Sequence, residues 1–116
     1  MKRNNAKTRL FVNLRTIYFE QFRNRTKRYE IRSYGKGFNE KYVYTDRDVE
    51  LRNAWNRGSL FGTIGEVVIG SLDNILDKVD YRLILSESNS REDAKRTITE
   101  ILGTCDKYVA FEVILD

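Results

Sequence analysis

Residues 25–32 read Arg25-Thr26-Lys27-Arg28-Tyr29-Glu30-Ile31-Arg32, and their alternation decides the fold class. Charged side chains at 28, 30 and 32 fall on one side. Tyr29 and Ile31 fall on the other, which is the two-residue period of a β-strand. Gly35 and Gly37 close the strand after Tyr34. Toward the N-terminus, residues 9–15 (RLFVNLR) form an expected first strand. Thr16 is expected to cap a short helix ending at residues 22–24, with Tyr18 and Phe22 four apart on its buried face.

Toward the C-terminus, residues 41–44 (KYVY) suit a short strand. Residues 49–55 fit a strand by alternation, or a helix if Asp46 and Asp48 start one. A turn is expected at 56–59, then a strand at 60–69 in which Gly62 and Gly65 mark a bulge or tight bend. A helical turn at 72–76 and a strand at 81–85 follow. Ser90 and Asp93 resemble a capping box, and Ala94, Ile98, Ile101 and Leu102 share one face of the helix it opens. Gly103 stops that helix. Residues 108–115 (YVAFEVIL) form a last, buried strand. Strands dominate and glycines mark bends, so the class is α+β: a small, partly closed barrel with flanking helices.

The 116 residues make one domain's worth of chain, read as a loose basic arm at 1–8 followed by a single domain at 9–116. No stretch approaches the roughly 20 apolar residues of a membrane helix. The first eight residues are basic and polar, without the apolar run of a signal peptide. Histidine is absent and Cys105 is the sole cysteine. That excludes an internal disulfide, a zinc site built on histidine or thiolates, and serine or cysteine chemistry with a histidine base. A reducing, cytoplasmic setting fits, with no cofactor or metal expected.

Charge is uneven. Residues 1–41 hold 12 Lys and Arg against 3 Asp and Glu, and the remainder holds 9 against 14. A concentrated positive segment suits a polyanion. On a strand, Glu30 and Arg32 point the same way, with Lys27 at its entry. Together they offer donors of fixed shape and one acceptor for a nucleobase and its phosphate. The alternative is a solvated Arg28–Glu30–Arg32 ladder of little energetic weight. Arg52, Asn53 and Trp55 form a second cluster before a turn. The indole suits either base stacking or the core. The aspartates at 73, 77 and 80 lack the spacing of a calcium loop and suit a solvated helix face.

These motifs resemble the ASCH domains, relatives of the PUA RNA-binding fold. Their G-x-K-x-x-E-x-R signature is matched at Lys27, Glu30 and Arg32, with Arg25 in place of the glycine. Arg52-Asn53-Ala54-Trp55 is similar to their R-N-G-Y element, and Glu87-Ser88 to an E-G before the late helix. The resemblance implies a PUA-like, ASCH-type barrel over roughly residues 9–115. Its groove would be lined by Lys27, Glu30, Arg32, Arg52, Asn53 and Trp55, and would take RNA, a nucleotide or a nucleoside.

It also implies an alternative. In members that hydrolyse N4-acetylcytidine, a lysine and a carboxylate act as the catalytic pair, matching Lys27 and Glu87 here. Those enzymes carry a small hydroxyl residue where this chain has Glu30. A third expectation, from the compact, proline-free, Asn- and Tyr-rich composition, is a protein-interaction module of the kind phages encode.

Overall fold

The computed structural model describes residues 8–116, so all but the last residue of the expected basic arm lies outside the described residues. The strand at the signature is β2 (Tyr29–Ser33). With β1 (Leu10–Leu14), β3 (Asp48–Asn53), β4 (Ser59–Gly70) and β5 (Tyr108–Leu115) it makes one five-stranded sheet. The order is β1-β3-β4-β5-β2, with β1 and β3 parallel and every other pair antiparallel. Helix α1 (Thr16–Arg23) links β1 to β2. Helices α2 (Leu72–Lys78) and α3 (Arg91–Leu102) lie between β4 and β5 in sequence, separated by a 3₁₀ turn at Tyr81–Leu83. The result is an α+β, partly closed barrel with three helices, as the alternation and glycines predict.

The sheet divides two hydrophobic cores. Inside the curl, Val12, Val49, Leu51, Ile64, Val109 and Phe111 pack with Phe19 and Phe22 of α1. Outside it, Tyr29, Ile31, Val68, Tyr108 and Ala110 pack beneath Ile75 and Leu76 of α2 and Ala94 and Ile98 of α3. Residues paired across neighbouring strands point the same way. Glu30 pairs with Phe111 and Arg32 with Val109. The charged side of β2 therefore looks into the barrel and its apolar side faces the helices. This overturns the solvated-ladder alternative, because Glu30 is only 7% exposed.

A bulge on β4 makes this division possible. Ile64 pairs with Val113 and Val67 with Phe111, so β4 carries one extra residue between them. The insertion reverses which residues point inward. The Glu112 carboxylate accepts the freed Glu66 amide at 3.1 Å. The loop before β3 supplies further partners: Thr45 Oγ1 donates to the Gly65 carbonyl, the Asp46 amide to the Ile64 carbonyl, and the Ile64 amide to the Arg47 carbonyl. Gly62 lies where a side chain would run into the Ile114 carbonyl, so the strand crossing needs a glycine there.

Three local expectations are corrected. Residues 41–44 are not a strand. The Asn39 side chain accepts the Lys41 amide and donates to the Gly35 carbonyl, and the Asn39 carbonyl accepts from Tyr42 and Val43, which curls the segment into turns. Residues 81–85 are not a strand either: the Asp80 carboxylate accepts the Arg82 amide and starts the 3₁₀ turn. Thr16 does not cap α1. Arg15 takes the cap position without a side-chain bond, and the Thr16 hydroxyl donates to Asn53 Oδ1.

Elsewhere the local chemistry acts as read. Ser90 Oγ accepts the Asp93 amide, Asp93 accepts the Asn89 amide, and Gly103 ends α3 with a φ of +81°. Residues 48–53 resolve as strand, and α2 extends from Leu72 to Lys78 with Ser71 as its cap. Asp73 and Asp77 are not merely solvated, since they pair with Lys95 and Arg91 and tie α2 to α3.

Candidate functional site

Strands β1 and β2 are the two edges of the sheet and meet only at a seam. One guanidinium crosses it: Arg32 Nη2 donates to the Asn13 carbonyl at 2.7 Å. A cavity of about 200 Å³ opens there. Asn13 and Tyr18 form one wall, Lys27, Glu30 and Arg32 the base, and Ile98 of α3 the far side.

The base of the cavity is a chain of opposite charges. Lys27 Nζ lies 3.3 Å from Glu30 Oε1, and Arg32 Nε donates to Glu30 Oε2 at 2.8 Å. Lys27 is 3% exposed. Its ammonium donates to the Ile84 carbonyl and lies over the rings of Tyr18 and Phe22, 5.5 and 5.3 Å from their centroids. Burial lowers the Lys27 pKa, and the Glu30 carboxylate opposes that shift. Arg32 stacks over Phe38, 5.0 Å away, and stays partly exposed. Taking these charges out of water costs several kcal/mol per ion before pairing offsets it, so such a chain is weak evidence of stabilisation.

The backbone that delivers Lys27 is turned by Arg25, which has a φ of +70°. Arg25 occupies the glycine position of the signature, and the left-handed turn persists without glycine. The turn is held by bonds from the Thr26 and Lys27 amides to the Gln21 carbonyl.

Glu87 is exposed, accepts from Gln21 Nε2 at 3.1 Å, and lies beside the Tyr18 phenol at the edge of the site. Among the described residues the carboxylate paired with Lys27 is that of Glu30, not Glu87. Burial first, and the neighbouring Glu87 charge second, push the Tyr18 phenol above its usual value.

The second predicted cluster is not in this cavity. Arg52 and Asn53 line a separate depression of about 480 Å³ that shares only Asn13 with the seam. Asn53 is buried. Its Oδ1 accepts from Thr16 Oγ1 and the Trp55 amide, while its Nδ2 has no hydrogen-bond partner among the described residues. Trp55 is 86% exposed on the β3–β4 turn and lines neither cavity. Five of the six residues expected in one groove thus divide between two depressions, Trp55 stands apart from both, and the core placement of Trp55 is excluded.

Asn13, Tyr18, Ile84 and Ile98 were not legible as site residues, because four separate segments bring them to the seam. The one available signal was Tyr18, spaced four residues from Phe22 on α1.

No family model matches the sequence, and no curated protein matches it. Solved structures do match. The hypothetical protein PH0355 superposes with a TM-score of 0.74 at 15% identity, over 91% of this chain and 97% of that one. ASCH from Zymomonas mobilis gives 0.67 at 12%, over 94% of this chain and 68% of that one. PF0455 from Pyrococcus furiosus gives 0.63 at 16%, over 92% and 96%. At such identities the likeness is one of architecture: the chain has the ASCH-type, PUA-like fold.

Proposed function

We propose that the seam cavity binds a nucleotide or a single unstacked base of RNA, making the chain a nucleic-acid-reading module. The observation that carries this is the buried Lys27–Glu30–Arg32 chain along the cavity base. A cost of that size is repaid where the groups meet a ligand. The cavity, at about 200 Å³, falls below the roughly 300–1,000 Å³ of drug-sized sites, which suits one planar base or nucleoside. Arg32 would take phosphate or a base acceptor, Glu30 an exocyclic amine, and Tyr18 and Ile98 the faces of the ring.

Calorimetric titration with nucleosides, mononucleotides and short single-stranded RNA tests the reading. Binding that weakens about tenfold in Arg32→Ala, and more at low salt than at high, supports it. No binding of any of them by the folded protein overturns it.

A second reading is metal-independent hydrolysis of an N-acylated nucleoside. Its support is Lys27, whose buried ammonium has a lowered pKa, as a lysine base or nucleophile requires. Turnover of N4-acetylcytidine, lost in Lys27→Met, would establish it. Absence of turnover across acylated nucleosides would leave the site to binding alone.

A further inference from the structure

The cations of the seam cavity are not equally engaged. Four charged residues line it: Arg15, Lys27, Glu30 and Arg32. Lys27 is held by the Glu30 carboxylate and the Ile84 carbonyl. Arg32 commits Nε to Glu30 and Nη2 to the Asn13 carbonyl, and lies over Phe38. Arg15 differs. Among the described residues no carboxylate or carbonyl pairs with its guanidinium. It is also the exposed one of the three, since Arg32 is half-buried and Lys27 buried.

Arg15 stands at the electrically unfavourable end of a helix. It holds the cap position of α1, gives no side-chain cap, and has no acidic residue beside it in the first turn. The helix dipole repels a cation there. Among the described residues no ion pair offsets that repulsion. The charge of Arg15 nevertheless reaches the cavity. Burial first and Glu87 second raise the Tyr18 phenol pKa, and Arg15 opposes the rise. Cavity size then separates floor from rim. A volume of about 200 Å³ is filled by a base or nucleoside, so a phosphate attached to it lies at the opening.

We propose that Arg15 is the phosphate-binding residue of the seam cavity, so that its ligand is a nucleoside phosphate rather than a free base or nucleoside. This rests on the reading of the seam as a nucleoside site. Charge favours the same class. Three cations line the cavity against the Glu30 carboxylate, and Glu87 at its edge brings the acids to two, so an anionic ligand matches the excess. A guanidinium takes phosphate oxygens through paired N–H donors, and an exposed one without an ion pair breaks no contact in doing so. Arg32 is then left for the base.

Calorimetry with nucleosides, their 5′- and 3′-monophosphates and dinucleoside monophosphates isolates the part played by the phosphate. At low salt the protein should bind at least one phosphorylated form about tenfold tighter than its nucleoside, and the gain should shrink at high salt. Arg15→Gln should remove the gain and leave nucleoside affinity unchanged, and Arg15→Lys should keep part of it. Arg32→Ala should weaken nucleoside and nucleotide alike. A larger gain for the dinucleoside monophosphate points to an RNA strand as the source of the phosphate, and a larger gain for a mononucleotide to a free nucleotide; both support the assignment. Arg15→Gln should melt at or above the wild-type temperature, because the helix dipole no longer meets a cation. Nucleoside binding with no gain from phosphate overturns the inference and leaves the reading of the seam standing. So does a gain that survives in Arg15→Gln, or a clear loss of thermal stability in that variant. No binding of any of these compounds overturns both.

Discussion

The Lys27 ammonium lies 3.3 Å from the Glu30 carboxylate, and both side chains are almost wholly withdrawn from water. The two partners are not equivalent. Glu30 is also bonded to Arg32, whereas among the described residues Glu30 is the one carboxylate paired with Lys27, whose ammonium otherwise bonds the Ile84 carbonyl and lies over Tyr18 and Phe22. Glu30→Gln therefore strands a buried cation and should cost about 3–5 kcal/mol in denaturant unfolding. Lys27→Met leaves Glu30 paired with Arg32 and puts a thioether beside Tyr18 and Phe22, so its cost should be smaller. Equal costs would show that the pair is not organised this way.

The same lysine sets a pH dependence. Its folded pKa lies below the ordinary 10.5. Between the two values the unfolded chain holds the proton and the folded protein does not, so stability rises with pH. Wild type should gain stability relative to Lys27→Met as pH climbs toward 10.5. A constant difference between the two proteins across that range would contradict the lowered pKa.

Glu50 has the opposite sign. Burial pushes its pKa up, but Ser59, Arg52 and Arg9 together outweigh that and hold it below 4.5. Its contribution is complete above 4.5 and lost as pH falls through the lower folded value. Thermal melts from neutral to acid pH should show a shallower decline for Glu50→Gln than for wild type.

Arg25 and Gly62 test the backbone from two directions. A non-glycine residue at a φ of +70° costs about 1–2 kcal/mol, and glycine returns roughly 0.5–1 of that as unfolded-state entropy. Arg25→Gly should thus raise stability by up to about 1 kcal/mol. Gly62→Ala forces a methyl group onto the Ile114 carbonyl and should lose about 1–3 kcal/mol or more. Gly35→Ala, in open space, is the control and should be near neutral.

Trp55 offers the simplest check on side-chain placement. At 86% exposure, Trp55→Phe should change stability by no more than about 0.5 kcal/mol. A loss of about 3 kcal/mol or more would mean that the indole is packed.

Much of the architecture could be read from local signals. Ser90 and Gly103 bracket α3 through hydrogen-bond chemistry that operates within a few residues. Gly62 and Gly65 flagged the crossing on β4: at Gly62 a side chain would meet the Ile114 carbonyl, and at Gly65 it would meet the Glu112 side chain. The failures were equally physical. Residues 41–44 have strand composition, but the Asn39 side chain takes up the Lys41 amide and the Asn39 carbonyl those of Tyr42 and Val43. Asp80 does the same at the 3₁₀ turn. Alternation located β2 but not which side of it faces water, because that depends on pairing with Phe111 and Val109, about 80 residues away. The grouping of Lys27, Glu30 and Arg32 was legible from spacing within one strand. The separation of Arg52, Asn53 and Trp55 from them was not, since it depends on how the sheet curls.

Strand β2 is a partition one residue thick. Glu30 and Arg32 form part of the inner wall, while Tyr29 and Ile31 anchor the helical layer. Neither compartment can come apart without removing a wall of the other. Loss of the helices and loss of the barrel should therefore coincide in a single cooperative transition, and the slowest-exchanging amides should cluster on the central strands β4 and β5 rather than in any helix.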